Sequence, residues 1–318
     1  MKKQGGTRSG FHFIEKFKNC KRFWYLENIL GITPSKKPFM LIFGGAFHAG
    51  KASFYLTRSV EKAVAAFKKT LREDRDLIEE ADRFYPFLLE RGPLMLYAWA
   101  NMFGRNDLAN YKILAVEKVF EVRLPNGYTI TVKPDAVLQA SNGAVYIFET
   151  KTSFFSANLQ EDVVALGDQA TTYLYAWWKA TGKKANGVVP DIIYWNRNSR
   201  KSEDIELRRG NLITRSDYEL WSYEQGVMSD LLDMSGRVRA LGGARAASPE
   251  ALFPRTTSQC ISYNRRCEFA DICREKLEEG GPLPGGFARD PWKQRTALLG
   301  VRTLPKVLPP KSKKKEKA

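Results

Sequence analysis

Val132-Lys133-Pro134-Asp135-Ala136-Val137-Leu138 and Val145-Tyr146-Ile147-Phe148-Glu149-Thr150-Lys151 stand on either side of Ser141-Asn142-Gly143, and the reading of these segments decides the fold. Asn-Gly between two period-two apolar runs is a hairpin signal. A hairpin centred on Asn142 puts Asp135 and Glu149 each seven residues from the centre. They then oppose one another across the ladder, with Cβ atoms about 4.5–5.5 Å apart. Lys151, two residues beyond Glu149, shares its face. Two carboxylates so placed repel unless a cation lies between them. A divalent metal with oxygen preference satisfies both, and Mg²⁺ keeps several waters. The metal neutralises phosphate charge and activates water, while a lysine beside it orients that water or stabilises developing negative charge. The competing reading is a solvated Glu–Lys pair, since E-x-K alone is common. The neighbours Val145, Ile147 and Phe148 argue against it, because charge on a buried strand is costly unless paired or metal-bound. Asp135, Glu149 and Lys151 are therefore the candidate catalytic residues, with Mg²⁺ or Mn²⁺ as cofactor.

Working outward, residues 116–124, 128–138 and 144–152 read as three antiparallel strands in a meander, with Pro125-Asn126-Gly127 as the first turn. Upstream, 11–30 reads as a short helix containing Cys20. A long helix spans 44–71, with Phe47, Tyr55, Val60, Ala63, Val64 and Phe67 at helical spacing. A helical region at 74–102 is expected to break near Pro86 and at Gly92-Pro93. Downstream come an aromatic-rich helix over 162–181, strands at 188–195 and 205–208, and a helix opened by the capping box Ser216-x-x-Glu219. A Cys-bearing, loop-rich segment covers 253–273. The expected architecture is α/β: a small mixed sheet with an antiparallel meander, flanked by helices. One domain is expected over 1–275, then a Pro/Gly/Lys-rich, partly disordered basic tail over 276–318.

The chain of 318 residues has a formal net charge of +16. The segment 306–318 contributes +5 through six lysines and one glutamate, so about +11 belongs to the rest. Such an excess favours polyanionic partners, because Lys and Arg release counterions from phosphates. No apolar run reaches the length of about 18 residues a membrane helix needs, and the basic N-terminus does not read as a signal peptide. A reducing, cytoplasmic or nucleoid-associated setting is expected, or a host cytoplasm for a phage-encoded chain.

These residues resemble the PD-(D/E)XK nuclease superfamily, through Pro134-Asp135 and Glu149-Thr150-Lys151. Gly45-Ala46-Phe47-His48 is similar to the G-x-x-H of the RecB-type branch, which implies that His48 is a further metal ligand. Gln169-Ala170-Thr171-Thr172-Tyr173 is similar to the Q-x-x-x-Y of that branch, which implies that Gln169 and Tyr173 lie beside nucleic acid and active site. Glu117 falls where some members carry another acidic residue. By themselves, a lone histidine on a helix and a Gln–Tyr pair four apart read as structural. It is the order of the motifs that carries the resemblance, and it implies a restriction-endonuclease-like fold.

Four cysteines remain: Cys20, Cys260, Cys267 and Cys273. A reducing setting disfavours two disulfides, leaving unrelated thiols, a zinc site or an iron–sulfur cluster. Zinc pairs are usually two to four residues apart, whereas three clustered cysteines plus a distant one suit four thiolate ligands of a cluster. The RecB-type branch includes AddB-like and CRISPR-adaptation nucleases with such a staple. Residues 16–25 around Cys20 look like its first element, and 267–273 like its end. The resemblance thus implies a 4Fe-4S cluster clipping the chain ends, with structural Zn²⁺ the alternative. Six residues separate Cys260 from Cys267, where the branch usually has two.

No nucleotide-binding G-x-x-x-x-G-K-[ST] is present, so any helicase or recombination partner is a separate protein. The leading expectation is a divalent-metal-dependent DNA exonuclease acting on single strands or ends, in recombination, repair or phage DNA processing. The alternatives are a non-cleaving DNA-binding scaffold and a restriction-type endonuclease.

Overall fold

The hairpin forms in the expected register: Ala136 pairs with Phe148, Val137 with Ile147, Leu138 with Tyr146 and Gln139 with Val145. The computed structural model describes residues 10–153, 157–195, 205–242, 247–262, 265–275, 277 and 280–290. Its first half comprises α1 (Phe11–Asn19), α2 (Lys21–Asn28), β1 (Ile32–Pro34), α3 (Phe39–Thr57), α4 (Val60–Glu73), α5 (Ala81–Trp99), α6 (Arg105–Asn110), β2 (Tyr111–Val116), β3 (Phe120–Arg123), β4 (Thr129–Val132), β5 (Ala136–Ala140) and β6 (Val145–Ser153). Then come α7 (Ala157–Leu166), α8 (Asp168–Thr181), β7 (Gly187–Trp195), β8 (Ile205–Arg209), α9 (Asp217–Leu241), α10 (Pro249–Leu252), β9 (Ile261–Ser262), β10 (Arg265–Arg266) and β11 (Phe287–Arg289).

The central sheet has five strands in the order β2-β5-β6-β7-β8. Its β2, β5 and β6 run antiparallel, β6 and β7 are parallel, and β8 returns antiparallel. Parallel neighbours need a crossover, here supplied by α7 and α8. Alternation along β5 and β6 builds two cores. Ala136, Leu138 and Phe148 pack with α3, α4 and α5, while Val137, Val145 and Ile147 pack with α1, α2, α8 and α9. The mixed, helix-flanked sheet is the α/β architecture of a restriction-endonuclease-like fold.

Several expected elements are divided. The strand expected over 116–124 stops after Val116, because Glu117 takes a left-handed conformation (φ 48°). The strand over 128–138 is interrupted at Lys133-Pro134-Asp135, where Pro134 has no N–H for a ladder. The outer pieces pair as a separate ribbon, β3 with β4, so the meander is β2-β5-β6 with a hairpin inserted. The helix over 11–30 breaks at Cys20, which is extended. That over 44–71 divides at left-handed Arg58, and Ser59 restarts it by accepting the Lys62 N–H at 3.2 Å. The helix over 162–181 is two, α7 and α8, meeting at Gly167. Conversely, Pro86 and Pro93 lie inside an unbroken α5. The capping box at Ser216 and Glu219 forms as expected. From the segment expected as a tail, Phe287–Arg289 pairs with Ile32–Pro34, and 291–318 lies outside the described residues.

Candidate active site

At the end of β5 the chain leaves the ladder, and there Asp135 meets His48, Glu117 and the backbone of β6. Its Oδ1 lies 3.0 Å from His48 Nδ1 on α3, and its Oδ2 accepts the Thr150 N–H at 2.7 Å. Glu117 is brought in by its left-handed turn: its N–H donates to the Asp135 carbonyl at 2.9 Å, and its carboxylate lies 3.8 Å from His48 Nδ1. Ligand atoms of His48, Glu117 and Asp135 all lie within 4.8 Å of one another. A non-glycine residue held at positive φ costs of order 1–3 kcal/mol, and such strain clusters at functional sites.

Glu149 projects from β6 on the opposite side from Thr150, buried at 3 % exposure. Its Oε1 accepts from Gln169 Nε2 at 2.8 Å and lies 2.9 Å from Lys151 Nζ. Its Oε2 is buried with no hydrogen-bond partner among the described residues. An unpaired buried carboxylate oxygen is expensive, and a cation answers that need. The two carboxylates and one imidazole of the close-set Glu117, Asp135 and His48 suit a hard divalent ion such as Mg²⁺ or Mn²⁺, so these residues fit the metal.

Charge in the site is strongly coupled. Burial would raise the Asp135 carboxyl, but His48, Lys51 and the Thr150 N–H hold it at about 2. Burial would lower the His48 imidazole, yet Asp135, with help from Glu117 and Glu149, raises it. Burial and the Asp135 charge raise Glu117, against the pull of the paired Lys133 and of His48. Lys151, which burial would depress, is raised by Glu149 and Asp135.

Helix α8 closes the site from the other face. Gln169 is central: its Oε1 accepts from Lys151 Nζ at 2.6 Å, and its Nε2 reaches Glu149 and, at 2.7 Å, the Tyr173 hydroxyl. Burial, Glu149 and Asp135 push the Tyr173 phenol well above its usual range. The structure thus gathers His48, Glu117, Asp135, Glu149, Lys151, Gln169 and Tyr173 in one place.

Behind this cluster lies a buried ionic network the sequence reading missed. Lys51 Nζ donates to Thr150 Oγ1 at 2.5 Å and to Asp191 Oδ2 at 2.7 Å. Arg209 joins Asp191 at 2.9 Å to Asp107 at 2.6 Å. One signal was available: Asp191 interrupts the apolar run 188–195, and a charge inside a buried parallel strand needs partners.

The four cysteines come from both chain ends. Cys20 sits between α1 and α2, and between Cys260 and Cys267 the pair Ile261–Ser262 (β9) lies antiparallel to Arg265–Arg266 (β10). The Cys267 N–H donates to the Cys260 carbonyl at 2.8 Å. Burial raises the Cys267 and Cys273 thiols, and the neighbouring thiols add to it: Cys20 and Cys273 for the first, Cys20 and Cys260 for the second.

With this geometry in view, comparison with known sequences is decisive at the level of family. The sequence profile of the PD-(D/E)XK nuclease superfamily matches residues 12–274. The chain belongs to that superfamily and is a metal-dependent nuclease. No curated protein matches the sequence. Among solved structures, SSO0001 is similar at 14% identity, over 69% of this chain and 84% of that one, with a TM-score of 0.27. An alkaline exonuclease from Laribacter hongkongensis, LHK-Exo, is similar at 13% identity, over 64% of this chain and 95% of that one, with a TM-score of 0.29. Its complex with dAMP gives 13% identity, 63% and 95% coverage and a TM-score of 0.28. At such scores the likeness assigns no residue a role. No described helix is long and apolar enough to cross a membrane.

Proposed function

We propose that the chain is a RecB-type DNA exonuclease whose divalent metal is held by His48, Asp135 and Glu149, with Glu117 beside them. The observation that carries this reading is the close-set group of His48, Glu117 and Asp135, beside which the Glu149 Oε2 is buried without a hydrogen-bond partner among the described residues. When bound, the metal neutralises phosphate charge and acidifies a water. Lys151, fixed by Glu149 and Gln169, orients that water and stabilises negative charge developing on phosphorus oxygens. Gln169 holds Glu149 and Lys151 in place, and Tyr173 holds Gln169, both beside the path of the strand. The net charge of +16 supplies sequence-independent attraction to the DNA backbone.

The four cysteines bind a 4Fe-4S cluster in this reading. What supports one shared site is that the thiols act on one another's charge: Cys20 and Cys273 on Cys267, and Cys20 and Cys260 on Cys273. The expected setting is recombination, repair or phage DNA processing, alongside a separate helicase or recombination partner.

The test is digestion of end-labelled single-stranded DNA with Mn²⁺. Mononucleotide release is expected, lost by at least about 100-fold in Asp135→Ala and Lys151→Ala, with DNA affinity within a few-fold. Full activity in either folded variant would show that the site lies elsewhere. DNA binding without cleavage by the wild type would leave a scaffold, and opening of a circular substrate would indicate a restriction-type endonuclease.

A further inference from the structure

The proposed metal ligands are fastened from behind by a lysine that touches none of them. Lys51 lies on α3 one turn beyond His48 and is only 4 % exposed. Its ammonium sits over the Trp99 ring at 4.5 Å, between Thr150 Oγ1 and Asp191 Oδ2. Thr150 and Asp191 are themselves cross-strand partners, from β6 and β7. The Thr150 hydroxyl and amide look opposite ways: the first accepts from Lys51, and the second donates to Asp135 Oδ2 at 2.7 Å. The other oxygen of Asp135 meets His48 at 3.0 Å. A ring therefore closes, running from α3 at Lys51 through Thr150 and Asp135 back to α3 at His48.

We infer that Lys51 is a positioning residue of the active site, fixing the Thr150 peptide and through it the orientation of the Asp135 carboxylate. This rests on the reading of Asp135 as a catalytic metal ligand. Stability alone gives little reason to bury these charges, because replacing a whole buried ion pair by apolar groups of similar volume is often neutral or stabilising. What the lysine supplies is direction. Its hydrogen bonds are short and lie on adjacent strands, and the peptide it holds lies between Glu149 and Lys151. Asp191 is in turn kept in place by Arg209 and by the Trp99 indole N–H at 3.2 Å. Arg209 reaches on to Asp107, which also accepts from the Tyr55 hydroxyl at 2.8 Å.

The experiment separates positioning from structural support. The double variant Lys51→Met/Asp191→Asn removes both charges together, so no buried ion of that pair is stranded. It is expected to melt within a few degrees of the wild type, while kcat on an end-labelled single-stranded oligonucleotide with Mn²⁺ falls at least tenfold. KM for that oligonucleotide should stay within about twofold. Thr150→Val, near in shape but without the hydroxyl, should show the same fall in kcat, and Thr150→Ser should recover most of it. Wild-type kcat in a folded double variant, or in Thr150→Val, would overturn the inference. Asp135→Asn is the control: if it is inactive while the double variant is fully active, only the positioning role is lost. If Asp135→Asn cleaves normally, the reading of the site itself fails.

Discussion

Gln169 decides how Glu149 and Lys151 present themselves, because its amide meets a carboxylate with its donor end and an ammonium with its acceptor end. No other neutral side chain of that length offers both functions. Gln169→Ala should leave the fold intact and lower kcat roughly 10–100-fold, the usual effect of losing a group that orients a metal ligand. Single-turnover cleavage is the measurement, and a change under threefold would sink the role. Asp135, Glu149 and Lys151 were legible because a two-residue period and an Asn-Gly turn fix a register before any tertiary contact is known. Glu117 was placed on a strand, and nothing in its sequence foretells a left-handed turn. Lys51 was not legible at all. On a helix of mixed polarity a lysine reads as solvated, and only the packing of Trp99 and Asp191 around it shows otherwise.

At the level of elements, the errors of reading share a cause: turn chemistry was weighed without knowing what would lie alongside. Gly92-Pro93 reads as a break, yet α5 runs through it, because α4 crosses there and Gly92 admits the buried Phe67 ring. A Cβ on Gly92 would lie 2.0 Å from that ring. Gly92→Ala should therefore destabilise by about 1–3 kcal/mol despite its better helix propensity, as measured by urea unfolding; a gain in stability would contradict the crossing. The β6–β7 pair makes a second prediction. Burial would raise the Asp191 carboxyl, but Lys51 and Arg209 hold it below its ordinary 3.8. A carboxyl lowered by folding contributes stability that is fully present above its unfolded value and is lost as pH falls toward the folded one. Melting temperature should thus fall more steeply below about pH 4 in the wild type than in Asp191→Asn; parallel curves would show that the pair does not titrate with unfolding.

Over the whole molecule, the first and last described segments are laced together before any cluster is considered. The β1 strand pairs with β11, Trp24 stacks on Phe253 at 5.9 Å, Phe23 meets Phe269 at 4.7 Å, and Arg22 reaches the Glu275 carbonyl at 3.2 Å. The four thiols lie along this seam, where a cluster would add a cross-link between positions about 240 residues apart. Chain entropy alone would make such a link worth about 5 kcal/mol. Because the seam already restrains the ends, the gain should be smaller and should appear mainly as resistance to local opening of α1 and α2. Protein purified without oxygen is expected to be brown and to contain about four irons per chain. Cys20→Ala should lose the iron, raise hydrogen exchange in α1 and α2, and lower the melting temperature. Cleavage at low temperature should survive that loss, since the candidate active site is built on the β5–β6 hairpin. A colourless wild type holding one zinc per chain would overturn the iron assignment. An iron-free, folded Cys20→Ala whose α1 and α2 exchange as in the wild type would show that the seam needs no clip.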